Sequence, residues 1–195
     1  MRRPRREARY AGRVNVLEHY REAGGLLEGH FLLASGRHTP TFLQSTTVLQ
    51  HPARADALGA ALAETLREHA PSFVIGPAMG GVVLAHVVAR ALGCRALFAE
   101  KSGPGMSLRS AFAVAPDEPF AAVEDVLTTG GSLRRAVEAA ERRGGRCVAS
   151  ACLIDRGLWA GSEAERPRSL LRLELPSYPP EACPLCADGL PLEEV

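Results

Sequence analysis

The stretch Val123-Glu124-Asp125-Val126-Leu127-Thr128-Thr129-Gly130-Gly131-Ser132 holds most of what this sequence says about its fold. The apolar run before it, Phe120-Ala121-Ala122-Val123, reads as a buried strand, and the residues after Ser132 read as a helix running to about Arg143. A strand that delivers adjacent acids and passes at once into a Thr-Thr-Gly-Gly-Ser turn at a helix start has a specific chemistry. Glycines let the backbone come close to an anion, and free helix-start N–H groups with the Thr and Ser hydroxyls donate to a phosphate. The carboxylates of Glu124 and Asp125 suit the vicinal hydroxyls of a sugar beside it. A helix cap alone would need neither the paired hydroxyls nor the paired glycines. With no P-loop or dinucleotide glycine pattern present, the string describes a ribose 5-phosphate site.

Working outward, the same strand, loop, helix grammar repeats. Phe73-Val74-Ile75-Gly76 reads as a strand running into Pro77-Ala78-Met79-Gly80-Gly81 and a helix over 82–92. Residues 95–100 form the next strand, followed by the small-residue loop Lys101-Ser102-Gly103-Pro104-Gly105-Met106, which is expected to act as a mobile lid. A strand over 147–154 ends at Asp155-Arg156-Gly157, and a last one over 170–175 precedes a proline-rich tail. Upstream, helices over 16–23 and 53–69, the second entered at Pro52, bracket an extended region over 30–44. The chain is therefore α/β, with an open, mainly parallel sheet flanked by helices, and its ligand sites are expected beyond the strand C-termini.

Length and charge narrow the field. A chain of 195 residues, 46% hydrophobic, fits a single domain with a real core, assigned here to residues 14–195. Its 23 basic and 22 acidic residues nearly cancel, so no broad field points to nucleic acid or an anionic membrane. No apolar stretch is long enough to span a bilayer and no secretory leader is evident, so a cytoplasmic location is expected. The odd count of 5 cysteines reads as reduced intracellular thiols. Residues 1–13, with six arginines and one acid, are expected to form a disordered basic tail.

The string over 123–132 resembles the phosphoribosyl pyrophosphate signature of the type I phosphoribosyltransferases. That resemblance implies the family's fold, with a small N-terminal hood over the base, here mainly residues 26–46, and a C-terminal tail, residues 176–195. It also implies magnesium bound with phosphoribosyl pyrophosphate and a loose, oxocarbenium-like transition state without a covalent enzyme nucleophile. Three further stretches are similar to the orotate branch, whose members make orotidine 5'-monophosphate and pyrophosphate on the way to UMP. Ser35-Gly36-Arg37-His38-Thr39-Pro40-Thr41-Phe42-Leu43-Gln44 resembles the base-covering segment, with Phe42 and Leu43 facing the pyrimidine. Residues 76–81 resemble the loop that lines pyrophosphate, which places Met79 and Gly80 on the sugar diphosphate with Glu124, Asp125, Val126, Leu127, Thr128, Thr129, Gly130, Gly131 and Ser132. Arg156 stands where the family pairs an arginine with the orotate carboxylate, a partner that guanidinium geometry suits, and Thr128 is implied to touch the base as well.

Lys101, the one lysine of the chain, lies in the lid where the family stabilises the leaving pyrophosphate, and with Asp125 it is the implied catalytic residue. Ala34 and Gly80 replace lysines of better-known bacterial members, and the lid lacks their histidine and second lysine; Arg109 is expected to compensate. The family's lid reaches across a homodimer, so a homodimer is implied. The alternatives are a phosphoribosyltransferase for another base, which would leave Arg156 without a carboxylate, and a phosphoribosyl-pyrophosphate-sensing transcription regulator, for which no DNA-binding module is evident. Cys183-Pro184-Leu185-Cys186 offers two thiolates with no histidine or further cysteine near it in sequence, so no protein-held metal is expected. Among the histidines only His38 is expected at the ligand, and Trp159 has no assigned role.

Overall fold

The computed structural model describes residues 14–33 and 35–194; the arginine-rich segment and Ala34 discussed above lie outside them. Helix α1 (Val16–Glu22) opens where Asn15 Oδ1 accepts from the Glu18 N–H at 3.2 Å, a side-chain cap on an otherwise orphaned donor. The hairpin β1 (Leu26–Leu32) and β2 (His38–Leu43) follows, then α2 (Ser45–Leu49) and α3 (Pro52–Leu66), with Pro52 starting α3 as expected. Next come β3 (Phe73–Pro77), α4 (Gly80–Leu92), β4 (Arg95–Ser102), β5 (Gly105–Leu108), β6 (Glu118–Leu127) and α5 (Gly131–Glu141). The chain closes with β7 (Gly145–Asp155), β8 (Arg168–Arg172), the short α6 (Pro184–Ala187) and β9 (Glu193–Glu194).

The main sheet runs β5-β4-β3-β6-β7-β8, parallel throughout except for β5. Alternation along its central strands splits the core in two. Val74 of β3 and Ala121 and Val123 of β6 face one way, with Leu58, Leu62 and Leu66 of α3 and Leu84 and Val88 of α4. Phe73, Ile75, Phe120 and Ala122 face the other way, with Leu133, Ala136 and Ala140 of α5 and Met106 and Leu108 of β5. Phe73 and Phe120 stack with ring centroids 5.0 Å apart, tying neighbouring strands. Because every residue of β3 is buried, it reads as a continuous apolar run, as strands covered on both faces do.

One expectation is corrected here. The segment over 101–106, read as a loop, is mostly a β-hairpin: Lys101 pairs with Met106 and Ser102 with Gly105, and Gly103, at φ +56°, begins the turn. The proline-rich tail after 175 is tied to the hairpin of β1 and β2. Tyr178 and His38 exchange backbone hydrogen bonds of 2.8 Å, Thr39 Oγ1 donates to the Pro176 carbonyl at 2.9 Å, and β9 adds a parallel strand to β1. Prolines lack a donor but keep their carbonyl, so an extended proline-rich run still accepts from the β1–β2 sheet.

Candidate active site

The parallel register sets the site. Ile75 lies opposite Ala122 and Leu127 opposite Asp155, so β3, β6 and β7 release their loops at one edge of the sheet. Past Leu127 and Asp155, Thr128 and Arg156 leave side by side, and the Arg156 N–H donates to the Leu127 carbonyl at 2.9 Å.

Gly130 holds the turn into α5 at φ +79°, in the left-handed region. A Cβ there would stand 2.1 Å from the Trp159 ring, so the indole forms the back wall of the turn. Trp159 is fixed by its Nε1–H donating to the Ser162 carbonyl at 2.9 Å, and the Arg134 guanidinium lies over its ring. Thr128 and Thr129 are exposed at the crest. Ser132 accepts from Arg135 at 3.4 Å, which brings a cation to the first turn of α5.

The adjacent acids Glu124 and Asp125 meet different neighbours, because successive strand residues alternate in direction. Asp125 meets the β3–α4 loop: a Cβ on Gly80 would lie 3.0 Å from its Oδ2, so a larger residue there would need the carboxylate to give by a few tenths of an ångström. Glu124 is governed by α5 instead. Burial and the neighbouring Asp125 charge push its pKa up to about 8, against the downward pull of Arg135 and the Leu133 N–H. Met79, beside Gly80, is 81% exposed, and the Ala78-Met79 peptide is cis.

Arg156 is 5% exposed, and its Nε and Nη2 have no hydrogen-bond partner among the described residues. Burial lowers its pKa, the expected response of a cation held away from water without an anion. The loop carrying it is pinned by Asp155, which accepts from the Gly157 N–H at 2.8 Å and pairs with Arg166 at 2.7 Å.

Other predicted positions fall differently. Leu43 packs in the α3–α4 side of the core and cannot face a base; Phe42, on the other side of β2, lies 6.0 Å from Phe31 and remains partly exposed. Lys101 is exposed on β4. Arg109 is not a free cation: Glu100 binds it through both carboxylate oxygens at 2.9 and 2.6 Å, and Phe98 lies under it. His38 does not project toward a ligand but is buried, its Nδ1 2.9 Å from His30 Nε2. Cys183 and Cys186, which have no histidine or further cysteine near them in sequence, are joined in space by His30 and His38. Sequence reasoning left Trp159 without a role and missed Arg135; the spacing of Arg135 three residues after Ser132 on a helix was the available signal.

The phosphoribosyl transferase domain family matches residues 44–166. An orotate phosphoribosyltransferase of Thermus thermophilus is 55% identical over 183 residues, covering 93% of this chain and all of the relative. One of Deinococcus radiodurans is 49% identical over 191 residues, covering 93% and 98%. The crystal structure of orotate phosphoribosyltransferase from Aeropyrum pernix superposes with a TM-score of 0.69 at 24% identity, covering 82% of this chain and 94% of that one, a likeness of fold.

Proposed function

This chain belongs to the orotate phosphoribosyltransferases, and from that premise we propose that it transfers ribose 5-phosphate from phosphoribosyl pyrophosphate to orotate. The observation that carries the choice of base is Arg156, a buried guanidinium with unpartnered N–H groups next to the Thr128 crest. A carboxylate-bearing base gives those groups an acceptor, whereas a base without one leaves a costly buried charge alone.

The roles follow from the arrangement. The turn over 128–132 holds the 5-phosphate through N–H and hydroxyl donors at the start of α5. Glu124 and Asp125 bind the ribose hydroxyls from two sides, and the β3–α4 loop with Met79 and Gly80 lines the diphosphate. As the bond from the anomeric carbon to pyrophosphate loosens, positive charge grows on the ribose ring and negative charge on the leaving oxygens. Asp125 stabilises the first and Lys101, delivered by the β4–β5 hairpin, the second. Orotate, its carboxylate held by Arg156 and its ring beside Thr128 and Phe42, then attacks the anomeric carbon through its ring nitrogen, which gives up its proton. Hard carboxylate oxygens at Glu124 and Asp125 fit magnesium, which takes one or two carboxylates besides substrate phosphates and would neutralise the diphosphate when bound. A homodimer in which each hairpin serves the neighbouring site belongs to this proposal, supported by the exposure of Lys101 at the hairpin, as does a cytoplasmic location. No helix among the described residues is long and apolar enough to cross a membrane.

The test is turnover of orotate with phosphoribosyl pyrophosphate and magnesium, beside uracil, hypoxanthine and xanthine. Orotate alone should be consumed. Arg156→Ala should raise the orotate KM by about 30-fold or more, the effect of about 2 kcal/mol or more for truncating one side of a buried charge pair. Binding of phosphoribosyl pyrophosphate should stay close to that of the parent. Equal turnover of another base, or an unchanged orotate KM, would overturn the assignment.

A further inference from the structure

Outside the β6–α5 turn and its neighbours, four side chains from three parts of the chain converge. His30 lies on β1, His38 begins β2, and Cys183 and Cys186 flank the start and body of α6. Their ligand atoms all lie within 4.8 Å of one another. His30 Nε2 is 2.9 Å from His38 Nδ1, 3.5 Å from Cys183 Sγ and 3.6 Å from Cys186 Sγ, and Cys186 Sγ is 3.3 Å from His38 Nδ1. Nitrogen and sulfur ligands set tetrahedrally at zinc bond lengths stand about 3.3 to 3.8 Å apart, so the cluster is within a few tenths of an ångström of that figure along these edges.

A second observation points the same way. His30 Nδ1 lies 2.9 Å from the Leu190 carbonyl, an acceptor that fixes the proton on Nδ1 and leaves the Nε2 lone pair facing the cluster. This is how ligating histidines are oriented by an outer hydrogen bond. His30, His38 and Cys183 are buried and Cys186 reaches the surface, so an ion has a way in. Two imidazoles and two thiols with no oxygen donor select a borderline-soft tetrahedral ion over magnesium or calcium. Four protein ligands leave no open position for chemistry, which makes the site structural.

We propose that this chain holds one zinc ion through His30 Nε2, His38 Nδ1, Cys183 Sγ and Cys186 Sγ, and that the ion staples the C-terminal segment to the β1–β2 hairpin. On binding, both thiols lose their protons to solvent and the imidazoles bind neutral. The staple adds to links already in place: Pro176, Tyr178 and β9 hold the same segment to the hairpin by hydrogen bonds to their backbone.

The test uses the full chain expressed with zinc in the medium. Elemental analysis should find one zinc per chain, falling to near none in Cys186→Ser and in His38→Ala but unchanged in Cys147→Ser, whose thiol lies outside the cluster. Chelation should lower the Tm of the parent by several degrees and leave that of Cys186→Ser unmoved, because only a folded-state ligand shifts Tm on removal. Cobalt added to the metal-free parent should give the strong visible bands of a tetrahedral ion with thiolate charge transfer. A parent that carries no zinc and gives no such spectrum overturns the proposal. So does zinc that persists in both variants, or a native mass two hydrogens low with Cys183 and Cys186 joined as a disulfide.

Discussion

The β6–α5 turn and the β1–β2 hairpin, both assigned to the substrates in the proposed function, are built on opposite terms. The turn emerges from a strand covered on both faces and is backed by Trp159; its shape follows from a large core and from residues close in sequence. The hairpin has one strand on either side of β1, one of them only Glu193–Glu194, and is held by contacts spanning 137 to 160 residues. A binding loop can thus be rigid by inheritance from a sheet, while a cover over the site must be tied down by links of its own.

Hydrogen exchange measures that contrast most directly. In metal-free protein the amides of β3 and β6 should exchange about 1000-fold more slowly than those of β1 and β2, since local opening of a thin sheet needs only part of the global unfolding free energy. Equal protection would break the comparison.

The next largest effect tests the inherited rigidity of the turn. Gly130→Val meets both the positive φ and the indole, and kcat/KM should fall by about 100-fold or more, as for ångström-scale misplacement of binding groups. Gly130→Ala combined with Trp159→Ala removes the clash but not the backbone cost, and should recover part of the loss. Full activity in Gly130→Val would mean that the turn is not held from behind.

A smaller effect concerns Glu124. Its pKa in the folded chain, about 8, lies above the ordinary carboxylate value, so the folded state holds its proton more tightly. The stability this contributes is complete below the ordinary value and is lost as pH rises through about 8. Glu124→Gln is spared that loss. Its Tm in ligand-free protein, relative to the parent, should therefore rise between about pH 5 and about pH 9. A flat difference would show that burial beside Asp125 does not impose the shift. Least of all should Glu100→Ala do: both it and Arg109 are exposed, and such pairs are worth little, so Tm should hardly move while Arg109 is freed.

These regions also differ in what could be read from the chain. β3 and the 120–123 core of β6 are contiguous apolar runs feeding glycine-rich turns, so the place of these strands in the sheet was legible. Arg156 was legible only by resemblance, and its burial with unpartnered nitrogens is something no run of residues displays. The inward turn of Leu43 was misjudged because both faces of β2 carry apolar residues. The cluster of His30 and His38 with Cys183 and Cys186 was hidden for a simpler reason: a search for ligands nearby in sequence cannot see a pairing 153 residues apart. β9, two residues long and acidic, has no pattern of its own and exists because β1 offers it an edge.

Lys101 is the sole lysine of the chain and stands exposed beside the β4–β5 turn. An amine-acylating reagent therefore finds one side-chain target, and a lysine-specific protease one bond to cut, both on the element proposed to close over the diphosphate. The protein carries its own footprinting probe: the rate at which that single position is labelled or cleaved, with and without pyrophosphate, reports where the hairpin is without a foreign atom being introduced.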